Sequence, residues 1–186
     1  MHIRIISGKY KGRRISAPKN LPIRPTTDRA KEALFNILQH QVYIPELKIL
    51  DLFTGSGSIA YEFASRGARH IHAVDRSYPV IKFVKKTAEE FGFSIKTVKK
   101  DVLKFLENTP HTYDLIFADP PYDLDKNIQK KLINLIFEKK RLTPDGIFIL
   151  EHTDKINFEE NPYFAEARKY GKSMFSFFKQ TNIEQN

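Results

Sequence analysis

Lys48-Ile49-Leu50-Asp51-Leu52-Phe53, followed by Thr54-Gly55-Ser56-Gly57-Ser58, is the stretch that decides the fold. An apolar run of strand length breaks into a glycine turn, and Ile59 to Arg66 then carries helical spacing, with Gly67 where a helix stops. Strand, glycine turn and helix in that order open a β-α-β unit whose turn lets backbone approach a ligand closely. The pattern then repeats. His70 to Asp75 reads as a strand, Pro79 to Phe91 as a helix stopped by Gly92, and Ser94 to Lys99 as a strand. Val102 to Glu107 is a short helix, Tyr113 to Ala118 a strand, Asn127 to Glu138 a helix and Gly146 to Glu151 a strand. Two further strands lie over 162–170 and 173–179. Regular alternation of this kind predicts an α/β fold: a mostly parallel, seven-stranded sheet with helices on both faces.

Upstream of Leu47 the chain changes character. Residues 2–6 alternate as a short strand, and 7–25 read as a basic hairpin or arm broken by Pro18, Pro22 and Pro25. Thr26, Thr27 and Asp28 are cap candidates for a helix over 31–39. Residues 1–40 hold nine basic and two acidic side chains, a net +7 of the +9 on the whole chain. Concentration of charge in one segment is the footprint of a polyanion partner, nucleic acid above all. Gly8, Tyr10 and Gly12 suit a flexible loop that follows a phosphate backbone. The expected organisation is a basic extension over 1–25, part of the same domain as a body over 26–180, and a loose polar tail over 181–186.

The bulk composition removes several classes. A hydrophobic content of 41% over 186 residues is that of a folded domain, not a disordered chain. No apolar run reaches spanning length, and the N-terminus lacks the apolar stretch of a secretion signal. With no cysteine there is no disulfide, thiolate nucleophile or cysteine zinc site, and a cytoplasmic location is expected. Nothing calls for more than a monomer. His70 and His72 share a strand face without a third ligand, and Gly171-Lys172-Ser173 has Glu166 where a phosphate loop needs glycine. The aromatic run Phe175 to Phe178 reads as core.

Ligands of such sheets lie beyond the C-terminal strand ends, and Asp51, Asp75, Asp101 and Asp119 all fall at or just past those ends. Asp75 follows Asp51 by 24 residues, the place of an acid that bridges two ribose hydroxyls. The cofactor therefore contains a nucleoside. Ala60 keeps dinucleotide spacing possible, but a carboxylate at Asp51 repels a pyrophosphate and attracts a cation. S-adenosylmethionine, with an ammonium, a sulfonium and no phosphate, fits better. Phe53, Thr54, Gly55 and Gly57 form the turn beside it, and Asp101 or the backbone at Val102 meets the adenine amine.

The fourth strand runs into Asp119-Pro120-Pro121-Tyr122. Two prolines stiffen the loop, leaving the Asp119 carboxylate and the Pro120 carbonyl as fixed acceptors beside the Tyr122 ring. Such a cluster suits a planar group bearing an NH2, such as a nucleobase taken out of its stack. An exocyclic amine is a poor nucleophile. Two acceptors favour its pyramidal form, and the carboxylate stabilises the positive charge that develops.

The two motifs, in this order, resemble those of amino-methyltransferases that use S-adenosylmethionine. Arg4-Ile5-Ile6-Ser7-Gly8-Lys9-Tyr10-Lys11-Gly12-Arg13-Arg14, then Arg24-Pro25-Thr26-Thr27-Asp28-Arg29, then Glu32-Ala33-Leu34-Phe35-Asn36-Ile37-Leu38 narrow the likeness. Together they resemble the bacterial small-subunit ribosomal RNA methyltransferase D family, from about Met1 to Gln180. The resemblance implies a Rossmann-like class I methyltransferase acting on the exocyclic N2 of a guanine in 16S rRNA, with no metal. It implies Asp51, Gly55, Gly57, Asp75 and Asp101 at the cofactor, and Asp119, Pro120 and Tyr122 at the base. Lys9, Lys11, Arg13, Arg14, Arg24 and Arg29 face RNA. Two alternatives stay open: adenine-N6 methylation of DNA on the same acceptor cluster, and an RNA-binding protein that keeps the fold without catalysis.

Overall fold

The computed structural model of the chain describes residues 1–24 and 26–181. It opens with strands β1 (His2–Arg4) and β2 (Arg14–Ser16) and helix α1 (Asp28–Leu38). There follow β3 (Lys48–Leu52), α2 (Ser58–Ser65), β4 (His70–Asp75), α3 (Tyr78–Phe91), β5 (Ile95–Lys99) and α4 (Val102–Asn108). The chain continues through β6 (Tyr113–Ala118), α5 (Lys126–Glu138), β7 (Leu142–Thr153), β8 (Phe164–Tyr170) and β9 (Ser173–Lys179). No helix among the described residues is long and apolar enough to cross a membrane.

Seven strands form one sheet in the order β5-β4-β3-β6-β7-β9-β8, parallel from β5 to β7. The last two break the pattern: β9 runs antiparallel to β7, and β8 pairs only on its outer edge. From β3 the chain winds outward to β5, then crosses back through α4 to β6, so the winding reverses between β3 and β6. A crevice opens at such a reversal because the two connections leave on opposite faces.

Parallel strands buried on both faces read as apolar runs, and Ile49 to Leu52 (broken only by Asp51), Leu115 to Ala118 and Ile147 to Leu150 are buried throughout. On one face α1 and α2 bring Leu34, Phe35, Ile59 and Phe63 onto Ile49, Ile71, Phe117 and Phe177. On the other, α4 and α5 bring Phe105, Leu132 and Ile136 onto Leu50, Ile116 and Phe148. Phe175, Phe177 and Phe178 are core, as the sequence indicates. Helix α1 starts earlier than expected, at Asp28 with Thr27 as its cap, so Lys31 lies inside it.

The basic segment is not the flexible arm that its glycines suggest. β1 and β2 pair in register Ile3↔Ile15, and Ile3, Ile5, Ile15 and Ala17 are buried against Tyr61, Val80 and Val84. Gly8 and Gly12, at φ 86° and 83°, shape a fixed tip. Gly12 N–H donates to the Ile5 carbonyl at 2.8 Å and Lys9 N–H to the Ser65 carbonyl at 2.8 Å. A Cβ on Gly8 would overlap that same carbonyl. Tyr10 donates to the Phe91 carbonyl at 2.7 Å and packs edge-on against Phe91 and Phe93. Ser65 and Phe91 end their helices, so the tip lies at the end of the sheet opposite to the C-terminal ends of the parallel strands. Pro25, the expected boundary of the segment, and 182–186 of the expected tail lie outside the described residues.

A buried carboxylate fixes this docking. Glu62 on α2 has no exposed surface, and its two oxygens accept from Ile6 N–H and Ser7 N–H, each at 3.0 Å. Arg66 donates to it at 3.0 Å, and the buried Lys31 ammonium stands 3.5 Å away while donating to the Arg4 carbonyl and the Ser58 hydroxyl. Burial lowers the Lys31 pKa, and the Glu62 charge opposes that shift. Removing one partner of a buried pair leaves the other uncompensated, at about 3–5 kcal/mol. Glu62→Ala is therefore expected to lower the thermal midpoint by about 10 °C and to open the segment 1–17 to proteolysis. A fall of less than about 3 °C would mean that the network carries little.

Candidate functional site

At the reversal point between β3 and β6 lies a cavity of about 530 Å³, walled by the loops that leave the C-terminal ends of β3, β4, β5 and β6. The β3 loop sets its shape. Phe53 sits at φ 54°, a left-handed conformation that costs a non-glycine residue roughly 1–3 kcal/mol. Gly55 at φ 53° continues the reversal. Thr54 N–H donates to the Val74 carbonyl, and the Thr54 hydroxyl donates to Asp51 at 2.6 Å. Phe53, Thr54 and Gly55 line the cavity.

Gly57 does not line it. At φ 80° it begins α2, and a Cβ there would run into the Tyr61 ring. Its need for glycine is a matter of packing and conformation, not of ligand approach. Asp51 does line the cavity, but as a buried floor residue whose acid burial raises to about 7, against the Thr54 hydrogen bond. It carries less negative charge near neutrality than the sequence argument assumes.

Asp75 is half-buried in the wall. One oxygen accepts from Gly55 N–H at 3.2 Å and the other from Ser77 N–H at 2.9 Å. A carboxylate offers about four acceptor sites, so each oxygen keeps one for a hydroxyl. The same contacts tie the glycine turn to β4. Asp101 caps α4 by accepting from Lys104 N–H at 3.1 Å, and it flanks the cavity with the buried Val102.

The far side of the cavity is the Asp119-Pro120-Pro121-Tyr122 loop, with Pro120 buried and the Tyr122 ring half-exposed. Here the structure corrects one expectation. Arg24, read from sequence as facing RNA, is turned inward. Its guanidinium pairs with Asp119 and lies over the Tyr122 ring, 3.3 Å from the centroid. The same Nη2 stands 3.8 Å from Glu151, a residue of β7 that sequence reasoning passed over. The missed signal was available, because Glu151 ends the fifth expected strand as Asp119 follows the fourth. Pro22 and Ile23, also in the wall, carry no sequence signal.

Two carboxylates thus face one cation, with the Asp119 and Glu151 side chains 14% and 4% exposed and that of Arg24 30%. Burial first, and the Glu151 charge second, push the Asp119 acid upward, while Arg24 pulls it down. Burial raises Glu151 as well, opposed by the Ser173 hydroxyl and Arg24.

The remaining basic candidates are dispersed. Lys9, Lys11, Arg13 and Arg14 are exposed on the hairpin, the first three near its tip and away from the cavity. Arg29 is exposed on the first turn of α1. His72 accepts or donates a 2.7 Å hydrogen bond with the Tyr113 hydroxyl, and Gly171 and Lys172 form the turn between β8 and β9.

Residues 3–179 match the family model described as conserved hypothetical protein 95. The ribosomal RNA small subunit methyltransferase D of Haemophilus influenzae is 34% identical over 155 residues, covering 80% of this chain and 78% of that protein. The solved structure of a hypothetical protein from Thermus thermophilus has a TM-score of 0.82 at 25% identity, over 96% of this chain and 99% of that one. A 16S rRNA N2 methyltransferase from Thermus thermophilus, solved with AdoMet and guanosine, has a TM-score of 0.73 at 19% identity, over 97% and 50%. That last likeness is one of fold. With a sheet of the class I methyltransferase type and a match across nearly its whole length, the chain belongs to the conserved hypothetical protein 95 family, which holds the methyltransferase D relatives.

Proposed function

We propose that this protein transfers a methyl group from S-adenosylmethionine to the exocyclic N2 amine of a guanine in the RNA of the small ribosomal subunit. One observation carries the reading. The acceptor cluster beside the cavity already holds a planar, multi-donor cation, the Arg24 guanidinium, against Asp119 and flat on Tyr122. An aminated base entering methylation has the same three properties: a flat face, donor hydrogens at its edge and growing positive charge. The methyltransferase D names of the relatives point to the same substrate class.

The residues of the cavity fit the cofactor. Asp75 keeps free acceptor capacity for ribose hydroxyls, Phe53 and Val102 give apolar walls, and Asp101 flanks the cavity. When bound, S-adenosylmethionine supplies an electrophilic methyl group on a sulfonium. Asp51 and Thr54 hold the glycine turn in shape. Asp119 accepts a hydrogen from the target amine and stabilises the charge that forms there, with the Pro120 carbonyl as the second acceptor. Tyr122 stacks on the base and fixes the angle of approach, so that orientation supplies much of the rate. No strong base is needed, because a methylated, cationic nitrogen releases its proton readily. Exposed Lys9, Lys11, Arg13, Arg14 and Arg29 contact RNA phosphates. Residues 1–25 act as part of one domain with 26–180, and the protein works as a cytoplasmic monomer.

Methyl transfer from labelled cofactor to small subunits lacking the modification, followed by nucleoside analysis, tests the reading. N2-methylguanosine is the expected product. N6-methyladenine on duplex DNA instead would keep the pocket and overturn the substrate. Asp119→Asn is expected to lower kcat by about 10²–10³-fold while RNA affinity stays within about twofold. Retention of near wild-type turnover would remove Asp119 from the chemistry. Asp75→Ala should weaken cofactor binding by at least about tenfold, since two ribose hydrogen bonds and the Gly55 tie go together. Unchanged affinity by calorimetry would end the ribose assignment. Charge reversal at Arg13 and Arg14 should reduce the slope of log affinity against log salt by about 2, and an unaltered slope would take the hairpin off the RNA.

A further inference from the structure

We propose that Glu151, which does not line the large cavity but a small adjoining pocket shared with Pro120, Pro121 and Tyr122, is a specificity-determining residue: it accepts the N1–H of the target guanine, beside the amine held by Asp119. The inference rests on the reading of Asp119 as the amine acceptor.

Register brings the two acids together. Ala118 on β6 pairs with Leu150 on β7, so Asp119 and Glu151 are the next residues along two adjacent parallel strands. The Glu151 side chain is only 4% exposed. One of its oxygens accepts from the Ser173 hydroxyl at 3.0 Å. Its other oxygen, Oε2, is buried and has no hydrogen-bond partner among the described residues. A buried carboxylate oxygen without a donor is costly, and native proteins rarely keep one without a use for it.

Arg24 does not supply that use. Its Nη2 reaches Asp119 but stops 3.8 Å from Glu151, and its Nη1 is itself buried without a partner among the described residues. One orphaned donor and one orphaned acceptor in the same cluster mean that the guanidinium fits it only in part. It is a stand-in that must leave when the base enters.

Base chemistry then identifies the group that fits better. In guanine the N1–H and the N2 amine sit on one carbon, as a planar row of donors like the edge of a guanidinium. With the amine at Asp119, N1–H is the neighbouring donor for Glu151. Adenine and cytosine both place an acceptor nitrogen beside their amine. In its ionised form, which burial opposes and the Ser173 hydroxyl favours, Glu151 would face that lone pair with no hydrogen between them. A site built to take a hydrogen from its substrate rejects an analogue that lacks it by large factors, because the buried acceptor is left bare. Asp119 alone accepts any amine; Glu151 makes the pair selective for guanine.

The test is an RNA substrate carrying 2-aminopurine in place of the target guanine. This base keeps the amine but presents N1 as an acceptor. The wild-type protein should prefer guanine by about 10²-fold or more in kcat/KM. Glu151→Gln, whose amide can donate to N1, should lose activity on guanine and gain it on 2-aminopurine, so that the preference falls to within about tenfold. A preference unchanged by Glu151→Gln overturns the proposal, as does a wild-type preference below about tenfold. A purely structural glutamate would lower both activities together and leave their ratio intact. If Glu151→Gln does not fold, the wild-type ratio and that of Glu151→Asp decide: the shorter acid should lower turnover on guanine yet keep the preference. Asp119→Asn separates the two readings. Loss of transfer to both bases leaves the amine site standing whatever Glu151 does, whereas retained transfer removes the pocket reading itself.

Discussion

Glu62 ties the N-terminal segment to the body of the protein, and the placement of the site follows from that tie. A carboxylate with no exposed surface must be neutralised and hydrogen-bonded where it stands. Lys31 and Arg66 supply charge, and the backbone N–H groups of Ile6 and Ser7 supply geometry. The chain cannot leave without stranding all of them. β1 and β2 are thereby laid on α2 and α3, and the segment that follows Ala17 is led back across the mouth of the cavity, where Pro22, Ile23 and Arg24 become part of its wall. Local structure at one end of a helix thus decides which side chain closes a pocket at the other.

At that pocket the controlling quantity is charge balance between two largely buried acids. Asp119 and Glu151 are adjacent, both short of water, and each raises the energy of the other's ionised form. One cation is what such a pair holds best, and Arg24 provides it. A site preset for one positive charge would need little reorganisation under the proposed reaction, whose charge would appear within it.

The sheet was legible because its information is local. Apolar runs such as Leu115-Ile116-Phe117-Ala118 need no partner to be read as buried strands, and Gly67 and Gly92 mark where helices stop. The insertion of β9 between β7 and β8 was not legible, since strand order depends on pairings far apart in the chain. The hairpin misled for a similar reason: Gly8 and Gly12 look like hinges until Ser65 and Glu62, more than fifty residues on, are seen to hold it. At the site, acids at strand ends could be found by rule, and Asp51, Asp75, Asp101 and Asp119 all reach the cavity. What sequence could not give is their state. Asp51 is buried, Gly57 is needed by Tyr61, and an arginine in a basic stretch faces inward, because burial and direction arise only when the elements pack.

Phe53 shows what this arrangement costs in backbone conformation. It holds a backbone conformation that glycine would adopt freely, yet its ring is part of the cavity wall. The backbone preference and the residue's place in the wall therefore pull this position in opposite directions. Leu52 and Thr54, buried on either side, hold the residue in that conformation.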